Sequence, residues 1–146
     1  MLFQQLNRSD AEKAFIIGRN TTGSTVSAGA PLIFETDAVT DGNSVSACNG
    51  LLEGTALFAG INHASLTNSS YGLIQTYGYR QSAYLSAASA GCAIGIPFIP
   101  VANQLYLTDS TSSGANNFNA VVLMETIGAG AANSAVLQWN VFIRAL

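Results

Sequence analysis

The sequence predicts an all-β fold: a small β-barrel, a β-tulip-like fold or a sandwich. Short runs of β-forming residues recur at intervals of roughly ten residues along the chain. Gly, Asp and Asn, which favour turns, separate these runs, and helical periodicity is absent beyond the first 14 residues. We therefore expect an N-terminal arm over residues 1–14 and a single β domain over residues 15–146.

The run Y-G-L-I-Q-T-Y-G-Y at residues 71–79 is the best candidate for the central strand of that domain. It contains no charged residue and is rich in β-formers. Because strand side chains alternate between two faces, its odd-numbered Tyr and Leu residues share one face. Gly78 predicts a bend just before Arg80, since glycine in a strand permits a bulge or a close backbone approach.

The remaining β-like runs are shorter. The segment 92–101 is apolar throughout, but Pro97 and Pro100 argue against a central strand along its whole length, so we expect an edge or subunit-facing segment. Residues 109–119 form a long polar loop, and no internal repeat is evident. The other predicted strands cover residues 15–20, 31–34, 44–47, 57–61, 83–85, 104–108, 121–124 and 135–143.

The N-terminal arm differs from the rest of the chain in its charge and pattern. Ser9 followed by Glu12 matches a capping box, which predicts a short helical turn over residues 10–14. Leu2, Phe3 and Leu6 form a possible apolar anchor. Two alternatives stay open: the arm docks on a neighbouring subunit, or it packs on its own domain or frays.

Charged residues are unusually few. They make up 9% of the 146 residues, whereas about 25% is usual for soluble domains. A surface with so little charge is poorly suited to a free monomer. Either much of the surface is buried against other subunits, or the protein works outside the cell; we favour the first explanation.

The charge balance argues against several partners. A net charge of −3 and scattered basic residues do not provide the basic stripe that nucleic acids or anionic membrane surfaces require. The sequence contains no apolar run of about 18 residues, so no membrane span is predicted. Its first residues do not resemble a secretion signal. We therefore expect folding in a cytoplasm and no nucleic-acid or membrane partner.

No catalytic, cofactor or metal site is predicted, and we do not expect an enzyme. The single histidine, His63, stands in a polar loop, and no serine occupies a nucleophile elbow. Sequence alone leaves open the carboxylate pairs Glu53 with Glu125 and Asp37 with Asp109, which could serve glycoside hydrolysis. Asp37, Asp41 and Asn43 could contact Ca²⁺, although their spacing does not match an EF-hand loop.

Cysteines and aromatic residues have structural interpretations. Cys48 and Cys92 are distant in sequence, and two buried thiols are expected rather than a disulfide. Trp139 and Phe142 are assigned to the core. Four tyrosines are assigned to the core or a subunit interface, with a stacking platform for sugars or bases as the alternative: Tyr71, Tyr77, Tyr79 and Tyr84.

Three segments carry a resemblance to a known family. V-S-A-G-A-P-L-I-F at 26–34 is followed by L-F-A-G-I at 57–61, and then by a strand with Gly72, Gln75 and Gly78 in a G-x-x-Q-x-x-G pattern. This order resembles head decoration (capsid cement) proteins of tailed bacteriophages over residues 15–85. The segment R-S-D-A-E-K-A-F at 8–15 also resembles the start of marine phage virion proteins.

The resemblance implies a structural role on the virion. Proteins of this family fold as small β-barrels or β-tulips, often trimerise, and bind the outside of the expanded capsid. The implied partners are therefore the major capsid protein and two further copies of this chain. The alternatives are another virion module, associated with the tail or a fibre, and a carbohydrate-binding domain that uses the tyrosines.

Overall fold

The computed structural model describes residues 12–35, 43–47, 57–87, 91–109, 120–128 and 136–145. Within these ranges the chain forms nine β-strands and no helix, which confirms the all-β prediction. The predicted arm lies mostly outside the described residues. Glu12 and Lys13 are not helical, and Ala14 already belongs to the first strand because it pairs with Tyr77, so this part of the predicted helical turn is wrong.

Most predicted strands are present, with shifts of a few residues at their ends. Residues 31–34 have the predicted bounds. The strands are β1 (Ala14–Asn20), β2 (Pro31–Phe34), β3 (Ser44–Ser46), β4 (Phe58–Asn62), β5 (Tyr71–Ser86), β6 (Pro97–Pro100), β7 (Leu107–Asp109), β8 (Val121–Leu123) and β9 (Leu137–Arg144).

Two predictions about individual strands are wrong. The predicted strands 71–79 and 83–85 are one strand, β5, because a register shift between Arg80 and Ala83 lets the backbone continue. The proline-containing segment is not an edge, since β6 lies between β7 and β8. Its two prolines stand at the two ends of the strand, so Phe98 and Ile99 keep their N–H groups between them.

The nine strands form one sheet that curls into two partial rings. The sheet order is β1-β3-β2-β4-β5-β7-β6-β8-β9, and β5 also pairs with β1 and with β9. The first ring therefore contains β1 to β5, and the second contains β5 to β9. Several ladders have only two residue pairs, so neither ring is a continuous barrel. The long strand β5 belongs to both rings.

The two rings repeat the same strand order. Each ring begins with a strand that pairs antiparallel with the last strand of that ring and parallel with its third strand. In the first ring Ile17 lies opposite Leu73. In the second ring Ala83 lies opposite Trp139 in the same antiparallel arrangement. The second half of β5 therefore takes the place that β1 has in the first ring.

The turn before the second strand of each ring is repeated as well. Gly29 and Gly95 have φ angles of 94° and 88°, which favour glycine. The Gly29 N–H donates to the carbonyl oxygen of Asn62, and the Gly95 N–H donates to that of Leu123, each at 2.9 Å. The chain therefore contains an internal structural repeat, contrary to the sequence-based prediction.

The repeat is hard to see in the sequence because few residues are shared. Residues 26–34 and 92–100 both carry Gly, Pro and Ile at the fourth, sixth and eighth positions. Glycine permits the left-handed turn and proline begins the strand, so the backbone conformation constrains the residue type at these positions. Elsewhere the backbone pairings recur while the side chains differ.

The apolar side chains form two clusters of unequal size. Among the described residues, the larger cluster has 14 buried members, mainly from β5 to β9, and it includes Cys92. The smaller has six, all from the first ring, and Tyr84 of β5 packs against it from outside. Trp139 is half-buried against the larger cluster, whereas Phe142 is half-buried and contacts Tyr77. The second ring therefore holds most of the hydrophobic core.

Candidate functional site

One face of the first ring exposes large apolar side chains. On β1, Ile17 is 62% exposed and Phe15 is 37% exposed. On β5, Tyr71 is 61% exposed, and Leu73 and Tyr77 are also exposed. Ile17 and Leu73 lie directly opposite each other, so their side chains project from the same side of the sheet. We name these five residues the β1–β5 face.

The tyrosines of this face were predicted to lie in the core or at a subunit interface. Tyr71 and Tyr77 are exposed, so a core location is wrong for both. The predicted shared face of the odd-numbered Tyr and Leu residues is confirmed in part: Tyr71, Leu73 and Tyr77 are exposed, whereas Tyr79, beyond the bend at Gly78, is half-buried. A contiguous group of exposed apolar side chains is typical of an interaction surface.

The middle of β5 is irregular next to this face. Gly78 has a φ angle of 99°, and a Cβ at this position would collide with the carbonyl oxygen of Glu12. Glycine is therefore required where β5 leaves the first ring. The register with β9 then shifts between Arg80 and Ala83. Such bulges redirect side chains and are frequent beside functional sites.

The irregularity turns the side chain of Arg80 inward. Only 6% of this residue is exposed. Its Nε donates to the Ser82 carbonyl at 3.2 Å, its Nη1 to Gln75 Oε1 at 3.5 Å, and its Nη2 to the His63 carbonyl at 3.4 Å. All three acceptors are neutral, and the bonds are at or beyond the usual upper limit of 3.2 Å.

Gln75 holds the buried guanidinium in place. It is 1% exposed, and its Nε2 donates to the carbonyl oxygens of Tyr77 at 3.2 Å and Tyr79 at 3.1 Å. These bonds fix the amide across the bend at Gly78. Its Oε1 lies 3.5 Å from Arg80 Nη1, so the fixed amide faces the guanidinium.

A cavity of about 680 Å³ opens at this point, and we name it the Arg80 cleft. Burial lowers the pKa of Arg80 from its ordinary value, because desolvation disfavours the charged form. Arginine nevertheless stays protonated in proteins, so the cleft contains a cation. The cleft is lined by Lys13, His63, Gln75, Tyr79, Arg80, Gln81 and Ser82.

The catalytic candidates that the structure describes stand on different elements, since His63 follows β4, Asp109 ends β7 and Glu125 follows β8. His63 is exposed after β4, and its ring makes an edge contact with Phe15 at 5.1 Å between centroids. Glu125 instead accepts a hydrogen bond from the Asn140 N–H at 2.6 Å. Within the described ranges, no three His, Cys, Asp or Glu side chains are placed to hold a metal ion.

Several candidates cannot be placed. Asp37, Asp41, Cys48 and Glu53 lie outside the described residues. Cys92 is buried in the larger core cluster, as predicted, and the described part of the chain contains no disulfide. None of the described segments forms a helix long and apolar enough to cross a membrane.

Comparison with known proteins adds no family assignment. No protein-family model matches the chain, and no curated protein matches it significantly. The β1–β5 face and the Arg80 cleft are therefore the two features from which a function can be inferred.

Sequence reasoning identified the first of these surfaces in part and missed the second. The alternation along β5 was readable, but Arg80 looked like one of five scattered basic residues. The available signal was that Arg80 is the one Asp, Glu, Lys or Arg residue between residues 54 and 108. An isolated arginine in a long predicted strand is a candidate for a buried or functional cation.

Proposed function

We propose that this protein is a capsid decoration (cement) protein of a tailed bacteriophage. It is made in the host cytoplasm, binds the outer surface of the head through the major capsid protein, and stabilises the expanded capsid. The observation that carries the proposal is the β1–β5 face. The resemblance over residues 15–85 covers β2, β3 and β4 and nearly all of β1 and β5, and therefore includes this face.

The apolar contact area and the low charge of the chain both favour a role in clamping capsid subunits. A clamp that bridges capsid subunits needs contacts that bury apolar surface, and burial contributes about 25 cal/mol per Å². With 9% charged residues, the chain loses little electrostatic solvation when its surface is covered. A homotrimer would fit positions of threefold symmetry on a capsid and supply three copies of the face.

Co-sedimentation with expanded capsids of the encoding phage tests the proposal. We expect the wild-type protein to bind and the Ile17→Asp variant to lose at least tenfold in affinity. Ile94→Asp is the matched control, because Ile94 is also 62% exposed but lies in a turn of the second ring. Equal binding by both variants, or absence of the protein from purified virions, would contradict the proposal. Localisation on the tail by electron microscopy would favour the tail or fibre module.

A carbohydrate-binding domain is the second candidate, and the exposure of two tyrosines on one face favours it. Tyr71 and Tyr77 present aromatic rings at the surface, where sugar rings can stack. Glycan-array binding that Tyr77→Ala abolishes, with the far-UV circular dichroism unchanged, would support this function. If no glycan on the array binds the protein, the carbohydrate-binding function is excluded.

A further inference from the structure

We propose that the Arg80 cleft is a binding site for a carboxylate group. The ligand is either a small carboxylic acid or an acidic side chain of a docked protein, since both present the same chemistry. The site is independent of the role on the virion, because it rests on Arg80 and its surroundings alone.

The positive charge of Arg80 has no counter-ion among the described residues. The guanidinium is 6% exposed, and its hydrogen bonds go to two carbonyl groups and one amide. None of the carboxylates in the described ranges pairs with it. A buried cation without a counter-ion is costly, and such groups are usually paired. An anion in the cleft would supply the missing charge.

The guanidinium also has unused donors within the described part of the chain. Arginine has five N–H donors, and the three hydrogen bonds of Arg80 use one donor on each nitrogen. One N–H on Nη1 and one on Nη2 therefore have no acceptor among the described residues. A carboxylate has two oxygens that can accept such donors, and arginine favours pairing with both of them.

The polar groups around Arg80 have no counterparts at the equivalent positions of the second ring. His63 corresponds to Met124 of the second ring, because the N–H groups of both donate across to the last strand at 2.9 Å. Gln75 corresponds to Phe142, since each lies opposite equivalent residues of β4 and β8. The repeated strand order does not require polar side chains at these positions, because the second ring has Met124 and Phe142 there.

The size and charge of the cleft fit the same ligand. A volume of about 680 Å³ lies within the range of roughly 300–1,000 Å³ that is usual for small-molecule sites. The cleft contains one buried cation, and Lys13 at its rim is exposed. This charge suits a singly charged carboxylate better than a doubly charged phosphate.

Thermal unfolding of the full chain with sodium acetate or a short Glu-containing peptide tests the proposal, at constant ionic strength. We expect at least one carboxylate to raise the Tm by about 5 °C when it is present at about 100 times its Kd. Acetamide, chloride and sulfate should produce no such shift. If no carboxylate raises the Tm, or if sulfate raises it equally, the proposal is overturned.

Variants locate the effect in the cleft. Arg80→Met should abolish the shift, and Arg80→Lys should raise the Kd at least tenfold because lysine lacks the planar fork. Gln81→Glu places a repelling charge on an exposed residue of the cleft, so it should also raise the Kd tenfold without affecting folding. Its control is Gln138→Glu, on an exposed residue outside the cleft. Equal Kd values for the two glutamate variants would overturn the assignment.

The two sources of the carboxylate are separated by the same measurements. If free acetate binds about as tightly as the Glu-containing peptide, the cleft is a small-molecule site. Binding of the Glu-containing peptide at least tenfold tighter than acetate indicates an acidic side chain of a protein. Either outcome requires Arg80, so each supports the proposed site.

Discussion

The two rings of this protein repeat one strand order but are stabilised by different chemistry. In the first ring the turn is held by Asn62, whose Nδ2 donates to the carbonyl oxygens of Val26, Ser27 and Ala64. At the equivalent position of the second ring stands Leu123, which is fully buried in the larger core cluster. The same backbone can thus be specified by hydrogen bonds in one half and by apolar packing in the other.

The largest expected effect concerns the two cores. Phe98 and Leu32 follow the proline that begins the second strand of each ring, and both are fully buried. We expect Phe98→Ala to lower the free energy of unfolding by about 4 kcal/mol and Leu32→Ala by about 3 kcal/mol. Urea denaturation measures both. A larger loss for Leu32→Ala would mean that the smaller cluster dominates stability.

The next prediction separates the two glycine turns. A Cβ at Gly29 would collide with the carbonyl oxygen of Ser82, whereas a Cβ at Gly95 meets nothing within 4 Å. Gly95→Ala should therefore cost only the left-handed strain of about 1 kcal/mol, and Gly29→Ala about 3 kcal/mol. Equal losses in urea denaturation would show that the first turn does not press against β5.

The third prediction exchanges the stabilising chemistry. Asn62→Leu gives the first ring the residue of the second, but it removes the donor that serves three carbonyl groups. We expect the free energy of unfolding to fall by about 2 kcal/mol, although the side chain becomes more apolar. The Oδ1 atom of Asn62 has no hydrogen-bond partner among the described residues, so the expected loss comes from the Nδ2 donor. An unchanged or higher stability would show that the first ring does not need this amide.

The smallest expected effect is at Arg80, and the sign of the change in the free energy of unfolding is informative. Arg80→Met removes a buried charge that has no ion pair among the described residues. We expect the free energy of unfolding to change by less than about 1 kcal/mol, and to rise rather than fall. Circular dichroism during urea titration checks this. A loss of about 3 kcal/mol would instead identify Arg80 as a structural residue.

The sequence was informative where local rules govern the backbone. Pro31 marked the beginning of β2, and the alternation of Tyr71, Leu73 and Tyr77 predicted a shared face. The repeat was missed because register is set by backbone pairings, which leave little trace in the side chains. Arg80 was missed because its burial depends on Gln75 and His63, whose positions follow from tertiary contacts.

The strand β5 has a further consequence, since it serves both rings without an intervening loop. Two domains joined by a flexible linker can engage an array at many separations, and their avidity depends on the linker length. Here one continuous backbone of 16 residues spans at most about 53 Å, at about 3.3 Å per residue. Surfaces at the two ends of β5 are therefore held at one spacing, so under the proposed function the period of a capsid lattice would decide whether both can bind at once.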